Sequence, residues 1–333
     1  MWRSALICVL MFAGPASAAD ITDRIEIVTS ESAFAVGASL AHEFAKARPF
    51  AAPSAQASDA ALDAFCAGVD TGSPDIAISE QSFTRAESKA CRAAGVTSIE
   101  VSLGYFGLAV LRNPNSPSIP LTSRMLFLAV AKDVPAGPGQ ELVANGIQAW
   151  NEVDPKLPNL PIKIFGPPAG SLGAQSIGPL LVAQGARTFA SLKALEQRDP
   201  NGFKVFEDDV RSDRAYQPSR GLDPEALLGA NPDALVISDL ASAIAAGKGV
   251  SIAQVNGVLP QTTTLANASY PYAETVRLYL KREHLGVTPG LREFLDEALG
   301  PAALGDHGYL RALGLMPRPP GSPSSNAILA QAH

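Results

Sequence analysis

The residues best suited to recognising a ligand lie in short polar stretches beside predicted strands and at the starts of predicted helices. Hydroxyl groups and the N–H groups of a helix N-terminus bind anions, whereas carboxylates repel them. These stretches carry both kinds of polar group, together with one aromatic ring. The candidate binding residues are Ser30, Glu31, Ser32, Ser58, Asp59, Glu80, Gln81, Phe106, Gly170 and Ser171.

Catalysis is less well supported than binding. The segment 169–173, Ala-Gly-Ser-Leu-Gly, is similar to the turn that carries a nucleophilic serine, and His284 or His307 could act as its base. That turn lacks the first glycine of the motif, and no aspartate is tied to either histidine by its spacing. The segment 247–249, Gly-Lys-Gly, lacks the earlier glycine and the hydroxyl of a phosphate-binding loop. We therefore predict a protein that is not an enzyme.

No metal site and no cofactor are predicted. The histidines, at positions 42, 284, 307 and 333, are scattered through the chain without ligand spacing. The cysteines also lack the close pairs that zinc sites require. The formal net charge of −6 argues against nucleic acid or an anionic membrane as a partner, since both need clustered Lys and Arg.

The first 18 residues have the pattern of a secretory signal peptide. Arg3 precedes a short apolar segment at 6–12, and a small-residue cleavage site, Ala-Ser-Ala, follows at 16–18. Cys8 lies inside the apolar segment, which favours ordinary cleavage over lipidation of the mature N-terminus. No later stretch approaches the ~20 uninterrupted apolar residues of a transmembrane helix. We predict a periplasmic protein that does not insert into the membrane.

Signal cleavage would leave two cysteines, Cys66 and Cys91. An even pair in an exported chain favours a disulfide, which would close a loop of about 25 residues and stabilise the fold by about 3 kcal/mol. The alternative is a pair of buried free thiols, because the sequence does not give the distance between them.

The mature chain is predicted to be an α/β protein with two domains. It is longer than a single hydrophobic core usually serves, and strand-like and helix-like segments alternate along it. Pro114, Pro117 and Pro120 interrupt regular structure and predict a crossing between domains. The proline-rich tail at 317–333 is expected to be flexible. The predicted strands are 25–28, 75–78, 108–111, 161–166, 233–238 and 276–281, and apolar residues from Ala33 to Phe44 have helical spacing.

Three short motifs resemble those of a known family. Residues 29–34 read Thr-Ser-Glu-Ser-Ala-Phe, residues 104–107 read Gly-Tyr-Phe-Gly, and residues 166–173 read Gly-Pro-Pro-Ala-Gly-Ser-Leu-Gly. They resemble Gly-Ser-Ser-Thr-Val-Tyr, Gly-Tyr-Asp-Gly and Gly-Pro-Pro-Pro-Thr-Ser-Gly-Thr-Arg of the phosphate-specific periplasmic substrate-binding proteins of ABC transporters. Further similar segments stand in the same order at 65–69, 73–76, 127–132, 149–155, 230–235 and 269–271.

The resemblance implies the two-lobed fold of the type II periplasmic binding proteins. In that fold, two crossing segments join the lobes, and the ligand lies in the cleft between them. For this chain it implies a discontinuous first lobe, 19–110 with 266–316, and a second lobe at 111–265. It also implies an ABC permease as the partner, with another envelope protein as the alternative.

The residues that hold phosphate in that family are largely replaced here. Ser32 and Ser171 keep a hydroxyl, and Glu31 replaces a serine. Phe106 replaces the acidic residue that accepts the proton of hydrogen phosphate. The family's Asn-Ala-Ser-Arg has become Ile-Ser-Glu-Gln at 78–81, so its arginine is absent. A dianion buried beside carboxylates without these partners would be strongly disfavoured.

The sequence therefore predicts a solute-binding protein whose ligand is altered or lost. The alternative is an interaction or sensory module of the cell envelope with the same fold. Phe106 either fills space in an unused cleft or contacts an apolar part of a new ligand. Asp59 is expected to cap a helix. Glu31 and Glu80 are either solvated charges at the cleft rim, or one of them occupies the anion position at a helix N-terminus.

Overall fold

The computed structural model describes residues 24–47, 49–70, 72–137, 141–305, 307–319 and 321–330. The predicted signal peptide, 1–18, lies outside these residues. Within the described chain, no helix is both long and apolar enough to cross a membrane.

Most strands form one mixed sheet that runs through both halves of the molecule. The strands are β1 (Glu26–Thr29), β2 (Ser54–Ala57), β3 (Ile76–Ser79), β4 (Ser98–Arg112), β5 (Asp133–Pro135), β6 (Leu142–Ala144), β7 (Ile164–Gly166), β8 (Tyr216–Pro218), β9 (Leu235–Asp239), β10 (Ser251–Ile252), β11 (Ala273–Lys281) and β12 (Met316–Pro317). The main path of the sheet is β2-β1-β3-β11-β4-β9-β7-β8, and β10 and β12 also pair with β4. β5 and β6 form a separate two-stranded sheet.

The strands at each end of the sheet pair in parallel, and antiparallel pairs in the middle of the sheet connect the two ends. β1 is parallel to β2 and β3, and β7 is parallel to β8 and β9. β11 is antiparallel to both β3 and β4, while β4 is antiparallel to β9. The long strand β4 therefore belongs to both halves of the sheet.

Helices cover the sheet. They are α1 (Phe34–Ala47), α2 (Ala61–Phe65), α3 (Arg85–Ala93), α4 (Ser123–Val130), α5 (Trp150–Val153), α6 (Leu172–Gln175), α7 (Ala183–Ala186), α8 (Ala190–Arg198), α9 (Pro200–Glu207), α10 (Pro224–Ala230), α11 (Leu240–Ala245), α12 (Thr262–Ala266), α13 (Leu291–Leu299), α14 (Pro301–Leu304) and α15 (Ser325–Ala330). A π-helical segment at Ile177–Val182 joins α6 to α7, and short 3₁₀ helices lie at Arg282–His284 and Tyr309–Leu313.

The first helix shows how the pattern of apolar residues sets the fold. Val36, Leu40 and Phe44 recur every four residues and are buried on one face of α1. They pack in one core with Ile27 of β1 and Phe294 of α13. The predicted helix over Ala33 to Phe44 is therefore confirmed, with its start one residue later than predicted.

Two sets of buried apolar residues define two lobes, as the predicted fold class requires. One large core takes buried residues from Tyr105 to Tyr272, with Met316 added. Two adjoining cores take residues 25–103 and 276–329. The change of core falls within β4 and β11. Tyr105, Tyr270, Tyr272 and residues 108–110 lie in the large core, whereas Phe106 packs against the first-lobe core. The domain boundaries derived from the sequence stay a prediction.

The predicted disulfide between Cys66 and Cys91 is present, with a Cα–Cα distance of 4.5 Å. It connects the end of α2 to α3 in the first lobe. Both cysteines are buried in a core with Phe65 and Tyr279.

The tail expected to be flexible contains regular structure. Strand β12, at the start of this tail, pairs with β4. Helix α15 lies entirely within the segment that was predicted to be flexible. Ile328 and Leu329 of that helix are buried, and Leu329 packs in the first-lobe core. The prediction missed this helix because the prolines before it dominated the sequence pattern.

Candidate ligand-binding cleft

A cavity of about 540 Å³ lies between the lobes, where β4 and β11 cross from one core to the other. Its size suits a small molecule. The first lobe contributes Glu31, Ser32, Glu80, Gln81, Leu313 and Gly314; the second contributes Leu172, Gly173, Gln175, Ser176, Pro179, Leu180, Lys204, Asp208 and Asp239; and the crossing strands contribute Phe106, Gly107 and Glu274.

The cavity collects half of the residues that the sequence nominated. Glu31, Ser32, Glu80, Gln81 and Phe106 line it. Ser171 lines an adjacent cavity of about 750 Å³, which shares Leu172, Gly173, Asp239, Leu313 and Gly314 with the first. Ser30, Ser58, Asp59 and Gly170 are not among the described residues that line either cavity.

The glycines of the Gly-Tyr-Phe-Gly motif are explained by backbone packing. A Cβ atom added at Gly107 would lie 2.5 Å from the carbonyl oxygen of Tyr272, and one at Gly104 would collide with the carbonyl oxygen of Met316. Crossing strands can approach closely only where these side chains are absent. The two glycines of this motif are therefore required by the fold and do not indicate a particular ligand.

On the first-lobe wall, a carboxylate reaches the start of α1 through a serine. Ser30 Oγ donates to Glu80 Oε2 at 2.7 Å and accepts from the N–H of Ala33 at 3.3 Å. The other carboxylate oxygen of Glu80, Oε1, is buried and has no hydrogen-bond partner in the described part of the chain. Glu80 thus places negative charge where an anionic ligand would meet the N-terminal end of this helix.

The crossing strands place a second carboxyl group beside the aromatic ring. Glu274 of β11 and Phe106 of β4 are register partners, so their side chains leave the same face of the sheet about 5 Å apart at Cβ. Burial, together with the nearby charge of Glu80, raises the pKa of Glu274 to about 7. Glu274 therefore changes charge near neutral pH.

The second-lobe wall offers helix N-termini that already have acceptors. Ser171 Oγ accepts from the N–H of Ala174 at 3.2 Å and caps α6. Asp239 Oδ1 accepts from the N–H of Ser242 at 2.8 Å and caps α11. These donors are therefore not left open for a ligand.

Among the described residues that line the first cavity, Lys204 is the one cation. It already forms ion pairs with neighbouring carboxylates. Its Nζ lies 2.9 Å from Glu207 Oε1 and 3.7 Å from Asp208 Oδ1. In the adjacent cavity, Arg311 faces a wall that includes Asp223 and Asp239. Carboxylates thus outnumber cations on the walls of both cavities.

One of the sequence interpretations, the helix cap at Asp59, is corrected by the geometry. Helix α2 has Ala60 at its N-cap without a side-chain cap, so Asp59 does not cap it as predicted. Ser58 Oγ instead accepts from the N–H of Ala60 at 3.2 Å. Ser171 Oγ donates to the carbonyl oxygen of Pro168 at 2.7 Å, and His284 is bonded to Asp75 in the first-lobe interior.

Several residues of the cavity were missed by sequence reasoning: Lys204, Asp208, Asp239 and Glu274. One of them carried a usable signal. Asp239 stands at the carboxyl end of a predicted strand, and in sheets of parallel strands this is where ligands bind. Lys204 and Asp208 lie on and just after α9, far from any motif, and only the tertiary fold brings them to the cleft.

Comparison with known proteins agrees with this architecture. A family model described as the PBP superfamily domain matches residues 14–302. A possible phosphate binding protein from Planctomyces limnophilus aligns with a TM-score of 0.66 and 18% identity, covering 93% of this chain and 96% of that one. PstS from Borrelia burgdorferi aligns with a TM-score of 0.58 and 17% identity, covering 89% and 98%. No curated protein matched.

A third structure, an ABC-type phosphate transport receptor from Vibrio cholerae, aligns with a TM-score of 0.53 and 19% identity, covering 88% of this chain and 99% of that one. At these identities, the alignments show a shared fold. A shared fold does not identify the ligand, which depends on the residues of this chain's own cleft.

Proposed function

Because the chain belongs to the PBP superfamily domain family, we propose that it is a periplasmic, non-catalytic solute-binding protein that delivers its ligand to an ABC permease. We further propose that the ligand is not phosphate. The observation that carries this proposal is the acidic cavity between the lobes. Glu31 and Glu80 of the first lobe, Glu274 of a crossing strand, and Asp208 and Asp239 of the second lobe line it.

Phosphate fits this cavity poorly for an electrostatic reason. A buried dianion needs cations and hydrogen-bond donors to replace its lost hydration, and nearby carboxylates add repulsion. Lys204 is paired with Glu207. At the helix N-termini that face the cleft, Ser30, bonded to Glu80, and Asp239 already accept backbone N–H groups. A cavity of about 540 Å³ nevertheless remains, so the fold keeps room for a different solute.

Retention of a small molecule would test whether the protein binds a solute in this cleft. The mature protein would be unfolded, freed of ligand and refolded, then incubated with a periplasmic small-molecule extract. Bound compounds would be identified by mass spectrometry after desalting. We expect one class of compound to be retained in a stoichiometric amount.

A variant that fills the cleft provides the matched comparison. Gln175 is exposed and lines the cavity, so Gln175→Trp should abolish retention. Gln217 is exposed on β8 and is not among the described residues lining the cavity, so Gln217→Trp should retain the compound as wild type does. Equal retention by both variants, or no retention by the wild type, would contradict a solute-binding function of the cleft.

A further inference from the structure

The cleft contains an acceptor for which the described chain offers no donor. Glu80 lines the cavity, and its Oε1 atom is buried without a hydrogen-bond partner. A buried carboxylate oxygen left without a partner is costly. Ser30 engages only the other oxygen, Oε2. Because this oxygen is also out of contact with solvent, a donor of a ligand would reach it only after the carboxyl group of Glu80 rotates toward the cavity.

A second carboxyl group of the cleft, that of Glu274, forms no ion pair with the described residues. Glu274 interacts electrostatically with Glu80, Glu207, Arg187 and Arg277. The two carboxylates oppose its ionisation, and the two arginines favour it.

The nearby arginines are engaged by other groups. Arg187 forms an ion pair with Glu196 at 2.6 Å. Arg277 pairs with Glu100 at 3.0 Å and donates to the carbonyl oxygen of Glu80 at 2.6 Å. These cations therefore reduce the negative charge of the region without entering the cavity.

The chemistry of the walls distinguishes an organic cation from a metal ion. No group of three or more His, Cys, Asp and Glu side chains that could hold a metal ion exists among the described residues. The ring of Phe106 lines the same cavity as Glu80 and Glu274. The carboxylates attract an ammonium or guanidinium group by their charge, and the electron-rich face of an aromatic ring attracts the same group by its quadrupole.

We propose that the cleft binds an organic cation, with an ammonium or guanidinium group held between Glu80 and Glu274 against the ring of Phe106. The inference rests on the proposed solute-binding function and names its substrate class. The cation donates to the carboxylate of Glu80 and offsets the repulsion between the two carboxyl groups. The apolar residues of the second-lobe wall, Leu172, Pro179 and Leu180, contact the apolar part of the solute.

An isosteric series of probes tests the sign of the charge without changing the size of the ligand. Cadaverine, 5-amino-1-pentanol, 1,5-pentanediol and glutarate share a five-carbon chain and differ in their end groups. Calorimetry on refolded, ligand-free protein at pH 8 should show binding for the two amines, with cadaverine tighter than the amino alcohol by about tenfold or more. The diol and glutarate should give no binding heat.

Variants locate the bound cation. Glu80→Gln and Glu274→Gln each remove one charge with little change of shape and should weaken cadaverine binding by about tenfold or more. Phe106→Leu keeps an apolar side chain and should weaken it by about fivefold. Asp63→Asn, an equal charge change at an exposed position of α2, should leave the affinity unchanged. Thermal melts of each variant would confirm folding.

The outcomes separate this inference from the function on which it rests. Stronger binding of glutarate or the diol, or equal cadaverine affinity in Glu80→Gln, Glu274→Gln and Asp63→Asn, would overturn the cation assignment. Absence of binding by all four probes would also overturn it. In each of these cases, stoichiometric retention of another compound from the extract would leave the solute-binding function standing, whereas no retention would remove both.

Discussion

The two ends of one strand pair, β3 and β11, carry two clusters of charged residues that differ in completeness. Asp75 immediately precedes β3 and Lys281 ends β11, whereas Glu80 immediately follows β3 and Glu274 lies near the start of β11. The first cluster is sealed inside the first lobe. The second faces the cleft.

At the sealed end, both oxygens of Asp75 have donors. Oδ1 accepts from His284 Nδ1 at 2.7 Å and from Thr288 Oγ1 at 2.6 Å, and Oδ2 accepts from the N–H of Glu26 at 2.7 Å. The other ring nitrogen of His284 lies 3.2 Å from the carbonyl oxygen of Val69. A buried charge that is fully hydrogen-bonded in this way holds its neighbours in one arrangement.

Lys281 completes the sealed cluster. Its side chain is fully buried, and Nζ donates to Ser73 Oγ at 2.6 Å. Burial lowers the pKa of Lys281 to about 8, against the opposing effect of Asp75. The cleft end lacks such completion, because Glu80 has an open oxygen and Glu274 faces another carboxylate. We infer that the first cluster stabilises the lobe, whereas the second, under the proposed function, is available to a ligand.

The largest expected effect comes from breaking the sealed cluster. Asp75→Asn would remove the charge near His284 and Lys281 and place an amide where three donors converge, so we expect a loss of about 3–5 kcal/mol in the free energy of unfolding. Glu80→Gln at the cleft end should cost less than about 1 kcal/mol or be stabilising. Urea unfolding at pH 7 measures both, and equal losses would remove the distinction between the clusters.

The disulfide supports the sealed end of the pair. Cys66 and Cys91 share a core with Tyr279 of β11. Replacing both cysteines by alanine should reduce the free energy of unfolding by about 3 kcal/mol, because the unfolded chain regains the freedom of the 25-residue loop. The melting temperature should fall by several degrees, as it should when the wild type is reduced. Two titratable thiols in unfolded, non-reduced protein would contradict the pairing.

Glu274 should make the cleft end a source of pH-dependent instability. Burial and Glu80 raise its pKa from 4.5 to about 7 in the folded protein. The folded state therefore favours the protonated form, and the associated stability is full below pH 4.5 and lost as the pH rises through 7. Glu207 also raises the pKa of Glu274, whereas Arg187 and Arg277 lower it. The upward shift of this pKa therefore comes from burial and from the carboxylates of Glu80 and Glu207.

Glu274→Gln removes this titration and provides the measurement. The melting temperature of the variant relative to wild type should rise between pH 4.5 and pH 8, by an amount that corresponds to about 1–2 kcal/mol after allowance for partial exposure. Asp63→Asn serves as the control with the same charge change. A difference that is constant with pH, or that falls, would show that Glu274 is not held in a high-pKa environment.

The smallest effect concerns Ser171, a polar group of the second lobe with complete hydrogen bonds. Ser171→Ala removes the cap of α6 and should cost about 1 kcal/mol in thermal unfolding. Any esterase signal in a purified sample should stay the same, because Ser171 is bonded to Pro168 and Ala174 and not to a base. Stoichiometric labelling of Ser171 by a fluorophosphonate probe would contradict this assignment.

Much of the fold could be predicted because local patterns agree with it. Apolar runs predicted β1, β3 and β9 to within two residues of their ends and β11 to within three, and the four-residue recurrence of Val36, Leu40 and Phe44 predicted α1. Strand β4 was recognised only at 108–111 of its 15 residues. Its first half alternates with Ser98, Glu100 and Ser102, so that half lacked the continuous apolar run that was used to recognise strands.

The candidate site was predicted only where sequence motifs lie beside it. Glu31, Ser32, Glu80, Gln81 and Phe106 follow strand ends or belong to family motifs, and the fold brings them to one cavity. Glu274 and Lys204 come from distant segments whose local pattern says nothing about the cleft. Asp59 was assigned from residue preference alone, and the geometry of α2 overrode that preference.

The most direct test of the account is calorimetry with inorganic phosphate on wild-type protein that has been unfolded, freed of ligand and refolded. If carboxylates have taken the place of the anion site, no phosphate binding tighter than about millimolar should be detected, which corresponds to about 4 kcal/mol. The combined variant Glu31→Ser, Gln81→Arg, Phe106→Asp and Ala174→Arg should recover measurable binding, because it restores cations and a proton acceptor. Micromolar phosphate affinity in the wild type would contradict the account and restore ordinary phosphate binding as the function of this cleft.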